Sequence, residues 1–249
     1  MDIEGKTVLV TGAGSGLGRA CALLAAREGA NLALGDIDGS GLETTLGEVE
    51  QAGGHAVSRV ADVRRPEDCA ALADLAVRSF GRLDGAVCSA GVDRIVPSLE
   101  LTLEEWERII GVNLTGTFLS VQASVRAMLP NPSGGSIITF ASGIAVRGRA
   151  GGAHYAASKG GIVALTKSFA LEFGPRRIRV NAVAPGATET PMLHAVTSPE
   201  FVETRPRQIP MGRIGQPQDI AAVVGFLLSD ASGWMTGQTL HANGGATMP

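Results

Sequence analysis

Residues 6–18 read KTVLVTGAGSGLG. The run Lys6–Thr11 is short, apolar and β-branched, the pattern of a strand buried on both faces. Gly12, Gly16 and Gly18 follow at G-x-x-x-G-x-G spacing, and the Ala- and Leu-rich stretch GLGRACALLAAREGA then runs with helical period to a stop at Gly29. Strand, glycine-rich turn and helix thus succeed one another without a gap. At such a junction the helix N-terminus turns free N–H groups and the positive end of its dipole toward the turn, where they suit a pyrophosphate. Glycine lets backbone and phosphate approach without a Cβ between them. A glycine cluster alone is weak evidence, because turns use glycine anyway; the flanking strand and helix give this one its weight.

The same alternation continues outward. Further strands are expected at NLALGD (31–36), HAVSRVADV (55–63), LDGAVCSAG (83–91), GSIITFAS (135–142), RIRVNAVAPG (177–186) and GQTLHANGG (237–245). Between them lie helical stretches at 40–54, 66–81, 99–129 (one or two helices, with Asn113 near a break), 153–174 and 217–230. Near-continuous apolar strands alternating with helices predict a parallel sheet covered on both faces. With right-handed crossovers this is an α/β, Rossmann-type, doubly wound seven-stranded sheet. No linker or low-complexity tract interrupts residues 1–249, so a single domain is expected. Residues 187–215 are polar, proline-punctuated and too long for a passive connection, which predicts a lid over a substrate.

Composition narrows the function. A net charge of −3 and 4% aromatic content provide neither a footprint for a nucleic-acid backbone nor stacking platforms for bases. Cys21, Cys69 and Cys88 are odd in number and lack metal-ligand spacing. Reduced thiols in a cytoplasmic protein are the plain reading. The N-terminal MDIEGKTVLVTG carries acids where a signal peptide needs basic residues, and no apolar run approaches the roughly 20 residues that span a bilayer.

Asp36 ends the second strand, 24 residues beyond Gly12. A carboxylate there can accept hydrogen bonds from both adenosine ribose hydroxyls and would repel a 2′-phosphate, which favours NAD over NADP. A cap for the next helix is the alternative, although Asp38 or Ser40 could serve as well. Asp62 and Val63 end the third strand, where an adenine edge would lie; a helix cap before Pro66 is an equal alternative.

Tyr155 is the only tyrosine, and Lys159 is one of three lysines. At i and i+4 they share one helix face. Free tyrosine is a poor base at neutral pH, but a neighbouring ammonium and a cationic nicotinamide favour the phenolate. Lys159 can also hold the nicotinamide ribose. Ser142, at the end of the fifth strand, could donate to a substrate carbonyl oxygen as it gains charge. His194, Met192, Leu193, Phe201 and Met211 are candidate pocket walls, with helix packing as the alternative for the apolar ones; Met192 and His194 are the proposed substrate contacts beside Ser142 and Tyr155. His154 lies about 100° round the helix from Tyr155, which suggests a solvent or subunit contact, with pocket lining as the alternative.

Together these residues resemble the short-chain dehydrogenase/reductases, over essentially the whole chain. Thr11 to Gly18 match TGxxxGxG, Asn113 matches the asparagine of VNLTGTF, Ser142 the serine, Tyr155 and Lys159 YxxxK, and Pro185 and Gly186 the Pro-Gly after the sixth strand. One such motif is unspecific, but their joint order and spacing is not. The resemblance implies a tetrad: Tyr155 as general acid/base, Ser142 polarising the carbonyl, Lys159 binding ribose and tuning Tyr155, and Asn113 supporting a water-linked proton path. It also implies NAD contacts from Gly12, Ser15, Gly16, Leu17, Gly18, Asp36, Asp62, Val63, Ala90, Gly91, Tyr155, Lys159, Pro185, Gly186, Thr188 and Thr190. Where the family has Asn-Ala-Gly after the fourth strand, this chain has Ser89-Ala90-Gly91, which puts the geometry of that loop in question.

The expected reaction is interconversion of a secondary alcohol and a ketone with NAD(H), acting on CH–OH donors and without a metal. The closing GQTLHANGGATMP is similar to bacterial β-ketoacyl carrier-protein reductases, which makes an NADPH-dependent 3-oxoacyl thioester reductase the alternative; Asp36 opposes it. A non-catalytic NAD-sensing or scaffold protein is the alternative of another class, opposed by the intact tetrad. The resemblance further implies a homotetramer built through helices 100–129 and 153–174 and the last strand, with Ala156, Ala157, Gly160 and Gly161 allowing close helix contact.

Overall fold

A computed structural model describes residues 2–249. The run that opens the sequence becomes β1 (Thr7–Thr11), buried at every position. The glycine turn then leads into α1 (Gly16–Arg27), β2 (Asn31–Asp36), α2 (Gly39–Gln51), β3 (His55–Val60), α3 (Pro66–Phe80) and β4 (Gly85–Cys88). Next come α4 (Leu103–Ile110), a single π-helical turn at Gly111–Thr115, and α5 (Gly116–Met128). The second half holds β5 (Gly135–Phe140), α6 (Ile144–Arg147), α7 (Ala153–Phe173), β6 (Ile178–Val183), α8 (Pro191–Val196), α9 (Pro199–Thr204), α10 (Pro217–Leu228) and β7 (Thr239–Leu240).

All neighbouring strands are parallel, in the order β3-β2-β1-β4-β5-β6-β7. The order reverses between β1 and β4, and at such a switch the connections leave a crevice beyond the strands' carboxyl ends. One face of the sheet packs on α1 and α10 around Val8, Val10, Leu32, Leu34 and Ile138. The other packs on α3, α5 and α7 around Leu9, Leu72, Val121, Met128 and Ile137. Alternate residues of one strand therefore serve opposite cores, which is why these strands read as unbroken apolar runs. The edge strand β3 is half-exposed.

The expected break near Asn113 is the π turn, centred on that residue. Such turns release backbone groups from the helical ladder. Residues 187–215 differ from the irregular loop expected: they hold α8, α9 and a 3-10 turn at Arg205–Gln208. Pro191 and Pro199 begin the two helices, where the missing N–H costs nothing, and the hydroxyls of Thr190 and Ser198 cap them. The third and last strands are shorter than expected, because the sheet's edge pairing ends at Val60 and Leu240.

Ile138 is fully buried in β5, the strand that leads to Ser142. Ile138→Ala is expected to cost about 2–5 kcal/mol, read as a lower denaturant midpoint at unchanged slope.

Candidate active site

The glycine turn meets the loop after β4 at the topological switch. Gly12 has φ +69, and a Cβ on it would stand 2.7 Å from the backbone of Ala90. A Cβ on Gly18 would lie 2.0 Å from Gly12 O, so α1 can start this close to β1 only without one. Beside the turn opens a cleft of about 470 Å³. It brings together Gly12, Ser15–Gly18, Asp36, Asp62, Val63, Ala90, Gly91, Thr190 and Met192. Ile37, Ala61, Arg64, Arg108 and Val112 line it too; no motif pointed to them, since they enter only through the approach of neighbouring strands. Ser15 stands before α1 without capping it, and the first turn of α1 holds no acid. Its N–H groups therefore remain available to an anion.

Asp36 Oδ2 accepts the N–H of Gly14 at 2.7 Å, and Oδ1 that of Asp38 at 2.9 Å. The carboxylate thus braces the glycine turn, while Asp38 caps α2. Asp62 closes on Arg64 through both carboxylate oxygens, the shortest contact being 2.6 Å, and this hydrogen-bonded cation holds its carboxyl below the usual range. Asp62 also accepts the N–H of Arg64, while Arg65 stands at the cap position of α3.

Ser89 Oγ donates to Thr11 O at 2.6 Å. The hydroxyl thereby ties the end of β4 to the end of β1, in space that a Cβ on Gly18 would crowd. Asn113 is fully buried. Its Oδ1 accepts the N–H of Val92 at 2.8 Å, while Nδ2 donates to Val92 O at 2.9 Å and to Ser158 Oγ at 3.2 Å. Both donors of the side chain are used in clamping the β4 loop to α7.

Ser142 follows β5, and Tyr155 and Lys159 face it from one side of α7. The Ser142 hydroxyl accepts the N–H of Ile144 at 3.2 Å and lies close enough to the Tyr155 phenol to favour its ionised form. Lys159 is 5% exposed; its Nζ donates to Phe140 O at 2.8 Å and stands 5.5 Å from the centroid of the Tyr155 ring. Burial pushes the lysine down to about 8. Burial, with a smaller push from the Asp93 carboxylate, raises the phenol above its ordinary value, against the opposing pull of Arg149 and Ser142. Burial thus opposes the phenolate that a neighbouring ammonium and a cationic nicotinamide would favour.

The family model described as enoyl-(acyl carrier protein) reductase matches residues 12–247. The chain is 40% identical over 246 residues to the 3-oxoacyl-[acyl-carrier-protein] reductase FabG of Thermotoga maritima, covering 98% of this chain and 99% of that one. It is 42% identical over 249 residues to 3beta-hydroxysteroid dehydrogenase 1 of Eggerthella lenta, covering 99% and 95%. The chain belongs to the short-chain dehydrogenase/reductase family. Its fold superposes on levodione reductase with a TM-score of 0.93 at 34% identity, covering 98% of each chain. For NAD+-bound xylitol dehydrogenase the TM-score is 0.91 at 35% identity, covering 97% and 98%.

Pro185, Gly186 and Thr188 are not among the residues that line this cleft. Gly143 N–H approaches Pro185 O at 3.5 Å, and a Cβ on Gly186 would meet Asn243 at 2.9 Å, so the Pro-Gly step joins the β5 loop to the C-terminal segment. Thr188 pairs with Gly215, tying together the two ends of the 187–215 segment. His194 turns toward Glu189 on the exposed side of α8 and does not line the cleft, whereas Met192 does. His154 is fully buried, contrary to the solvent or subunit role expected, because α7 packs that face on α4; neither ring nitrogen has a partner. Gly161 packs within the chain, where a Cβ would lie 2.8 Å from Leu114, while Gly160 faces open space.

Asn113→Ala would leave the part-buried N–H and C=O of Val92 unpaired, with an expected loss of about 1–3 kcal/mol in denaturant unfolding. Lys159 offers a pH test. Its pKa falls from 10.5 in the unfolded chain to about 8, so the unfolded state binds more protons in that window and this group's contribution to stability rises with pH. The buried thiols, raised from 9.0, act in the opposite sense above that value. Unfolding free energy of the wild type minus that of Lys159→Met isolates the lysine and should climb between about pH 8 and 10; a flat difference would mean that the lysine keeps its proton throughout.

Proposed function

We propose that this protein is an NAD(H)-dependent dehydrogenase that interconverts a secondary alcohol and a ketone. Ser142, Tyr155 and Lys159 carry this assignment by converging at the carboxyl edge of the sheet, next to the glycine-lined cleft. The cleft fits a nicotinamide dinucleotide. The open N–H groups of α1 suit its pyrophosphate, and the free lone pairs of Asp36 suit the adenosine ribose hydroxyls. Val63 and Ile37 offer apolar walls for the adenine, Lys159 is within reach of the second ribose, and Thr188, Thr190, Pro185 and Gly186 frame the nicotinamide end. Bound there, the group would supply the ring that accepts or returns the hydride.

Tyr155 takes the hydroxyl proton at its phenol oxygen during oxidation and returns it during reduction. Ser142 donates to the substrate oxygen as negative charge develops. Lys159 holds positive charge near the ring, and the positive ring of the oxidised cofactor would add to it, opposing the burial that disfavours the phenolate. Asn113 holds the β4 loop against α7. Residues 187–215 form the lid, tied at its two ends and bringing Met192 to the cleft; a substrate contact by His194 requires its imidazole to turn away from Glu189.

An NADPH-dependent 3-oxoacyl thioester reductase is the second reading, favoured by the likeness to FabG and by Arg64, a cation in the same cleft. Asp62 already engages that guanidinium through both oxygens, and Asp36 would repel a 2′-phosphate, so NAD is preferred. The whole chain acts as one catalytic domain. Exposed Leu103, Phe118 and Leu171 on α4, α5 and α7, and Trp234 before β7, support assembly into a homotetramer. No helix among the described residues is long and apolar enough to cross a membrane, and the free cysteines suit a reducing cytoplasm.

NADH formation over a panel of cyclic, steroid and open-chain secondary alcohols tests this reading. Tyr155→Phe should lose about 10²–10⁴-fold in kcat while still binding NADH; unchanged turnover would sink the assignment of Tyr155. Asp36→Ala should shift the NADP+ to NAD+ ratio of kcat/KM upward by about tenfold or more. Wild-type turnover confined to NADP+ would favour the thioester reductase, and cofactor binding without turnover on alcohols or ketones would favour a sensor.

A further inference from the structure

Asp93 and Arg149 form an ion pair outside the four residues of the family motif. Arg149 Nη1 donates to Asp93 Oδ2 at 2.7 Å and Nη2 to Oδ1 at 2.6 Å, with the two side chains 5% (Asp93) and 18% (Arg149) exposed. Removing two charges from water is costly on each, and only good geometry compensates. The pair links the loop after β4 to the loop between α6 and α7. A second staple joins the same loops, the N–H of Val96 donating to Gly151 O at 2.8 Å. The guanidinium carbon lies 5.2 Å from the centroid of the Tyr155 ring, within cation–π range. Gly152 permits this approach, since a Cβ there would stand 2.6 Å from Arg149 Nε. That Nε is buried and has no hydrogen-bond partner, so the guanidinium keeps its place on the ring at the expense of one donor.

We propose that Arg149, oriented by Asp93, is a positioning residue for Tyr155, holding the phenol at the wall of the site and setting the charge that its ring faces. This rests on Tyr155 being the acid/base of the reaction proposed above. The charged groups around the tyrosine come from three elements: Lys159 on its own helix, Arg149 on the loop before α7, and Asp93 on the loop after β4. His154 on α7 stands farther out, with Glu105 and Arg108 of α4 and the Asp93–Arg149 pair around it. Arg149 favours the phenolate and Asp93 disfavours it, and as a closed pair they largely offset one another. Opening the pair from either side therefore has opposite consequences. With Arg149 gone, a lone buried carboxylate makes the phenol harder to ionise. With the charge of Asp93 gone, a lone guanidinium makes it easier.

The test compares Arg149→Met, Asp93→Asn and the double variant. One readout is the pH dependence of kcat/KM for alcohol oxidation. The other is the resonance of isotope-labelled tyrosine, a single signal because the chain has one tyrosine. In Arg149→Met the rising limb should move by about one pH unit to higher pH, and in Asp93→Asn by a similar amount to lower pH. The double variant, which buries no lone charge and so guards against misfolding, should return near the wild-type limb. The tyrosine signal should titrate with the same two opposite displacements. Limbs that stay in place, or move in one common direction, while rates fall would overturn the proposal and leave the pair as a structural staple. A wild type that turns over no alcohol or ketone would instead sink the parent assignment; the opposite displacements of the tyrosine signal then decide the pair by themselves.

Discussion

The contact on which the rest depends is the packing of α1 onto the end of β1. The carbonyl of Gly12 lies where a Cβ on Gly18 would be, 2.0 Å away. Only a chain without side chains at both positions can turn from a buried strand into a helix in so few residues. That turn leaves the N–H groups at the start of α1 facing the crevice between β1 and β4. Ser89 and Ala90 close the other side, one by a hydrogen bond to Thr11 and the other by direct backbone contact with Gly12. Loss of a few atoms thus creates the cleft, and the sheet's change of direction at that point keeps other connections out of it.

The second half of the site is held by buried polar groups, which are costly to leave unpaired. Asn113 engages both backbone groups of Val92 and the hydroxyl of Ser158. Lys159 engages the carbonyl of Phe140, two residues before Ser142. Through these two side chains the loop after β4, the end of β5 and the face of α7 share one arrangement, which brings Ser142, Tyr155 and Lys159 together. The π turn at Gly111–Thr115 aims Asn113 inward by widening the helix for a single turn. Burial that secures this arrangement also depresses the lysine and raises the tyrosine, so rigidity and proton affinity have the same origin.

Much of this was legible in the residues because the signals are local. A strand, a glycine turn and a helix occupy consecutive positions, and Tyr155 and Lys159 lie one helical turn apart. Apolar runs free of polar alternation announced strands buried on both faces. What remained illegible depends on distances between segments far apart in the chain. Asp93 and Arg149 are separated by 56 residues and carry no motif of their own, and Arg64 reaches the cleft only because β3 pairs beside β2. His154 looked like a surface residue because its helix face is decided by where α4 lands. The segment 187–215 concealed two short helices because their proline starts and hydroxyl caps resemble loop chemistry.

The sequence by itself determined the order of strands and helices, the glycine turn and the spacing of the serine, tyrosine and lysine, since each follows from backbone sterics and the periods of two and 3.6. Only the tertiary structure decided the burial of Tyr155, the partner of Ser89, the partners of Asn113 and the ion pair on the tyrosine ring. Those depend on desolvation and on hydrogen bonds across the sheet, and both quantities exist only once distant segments exclude water from one another.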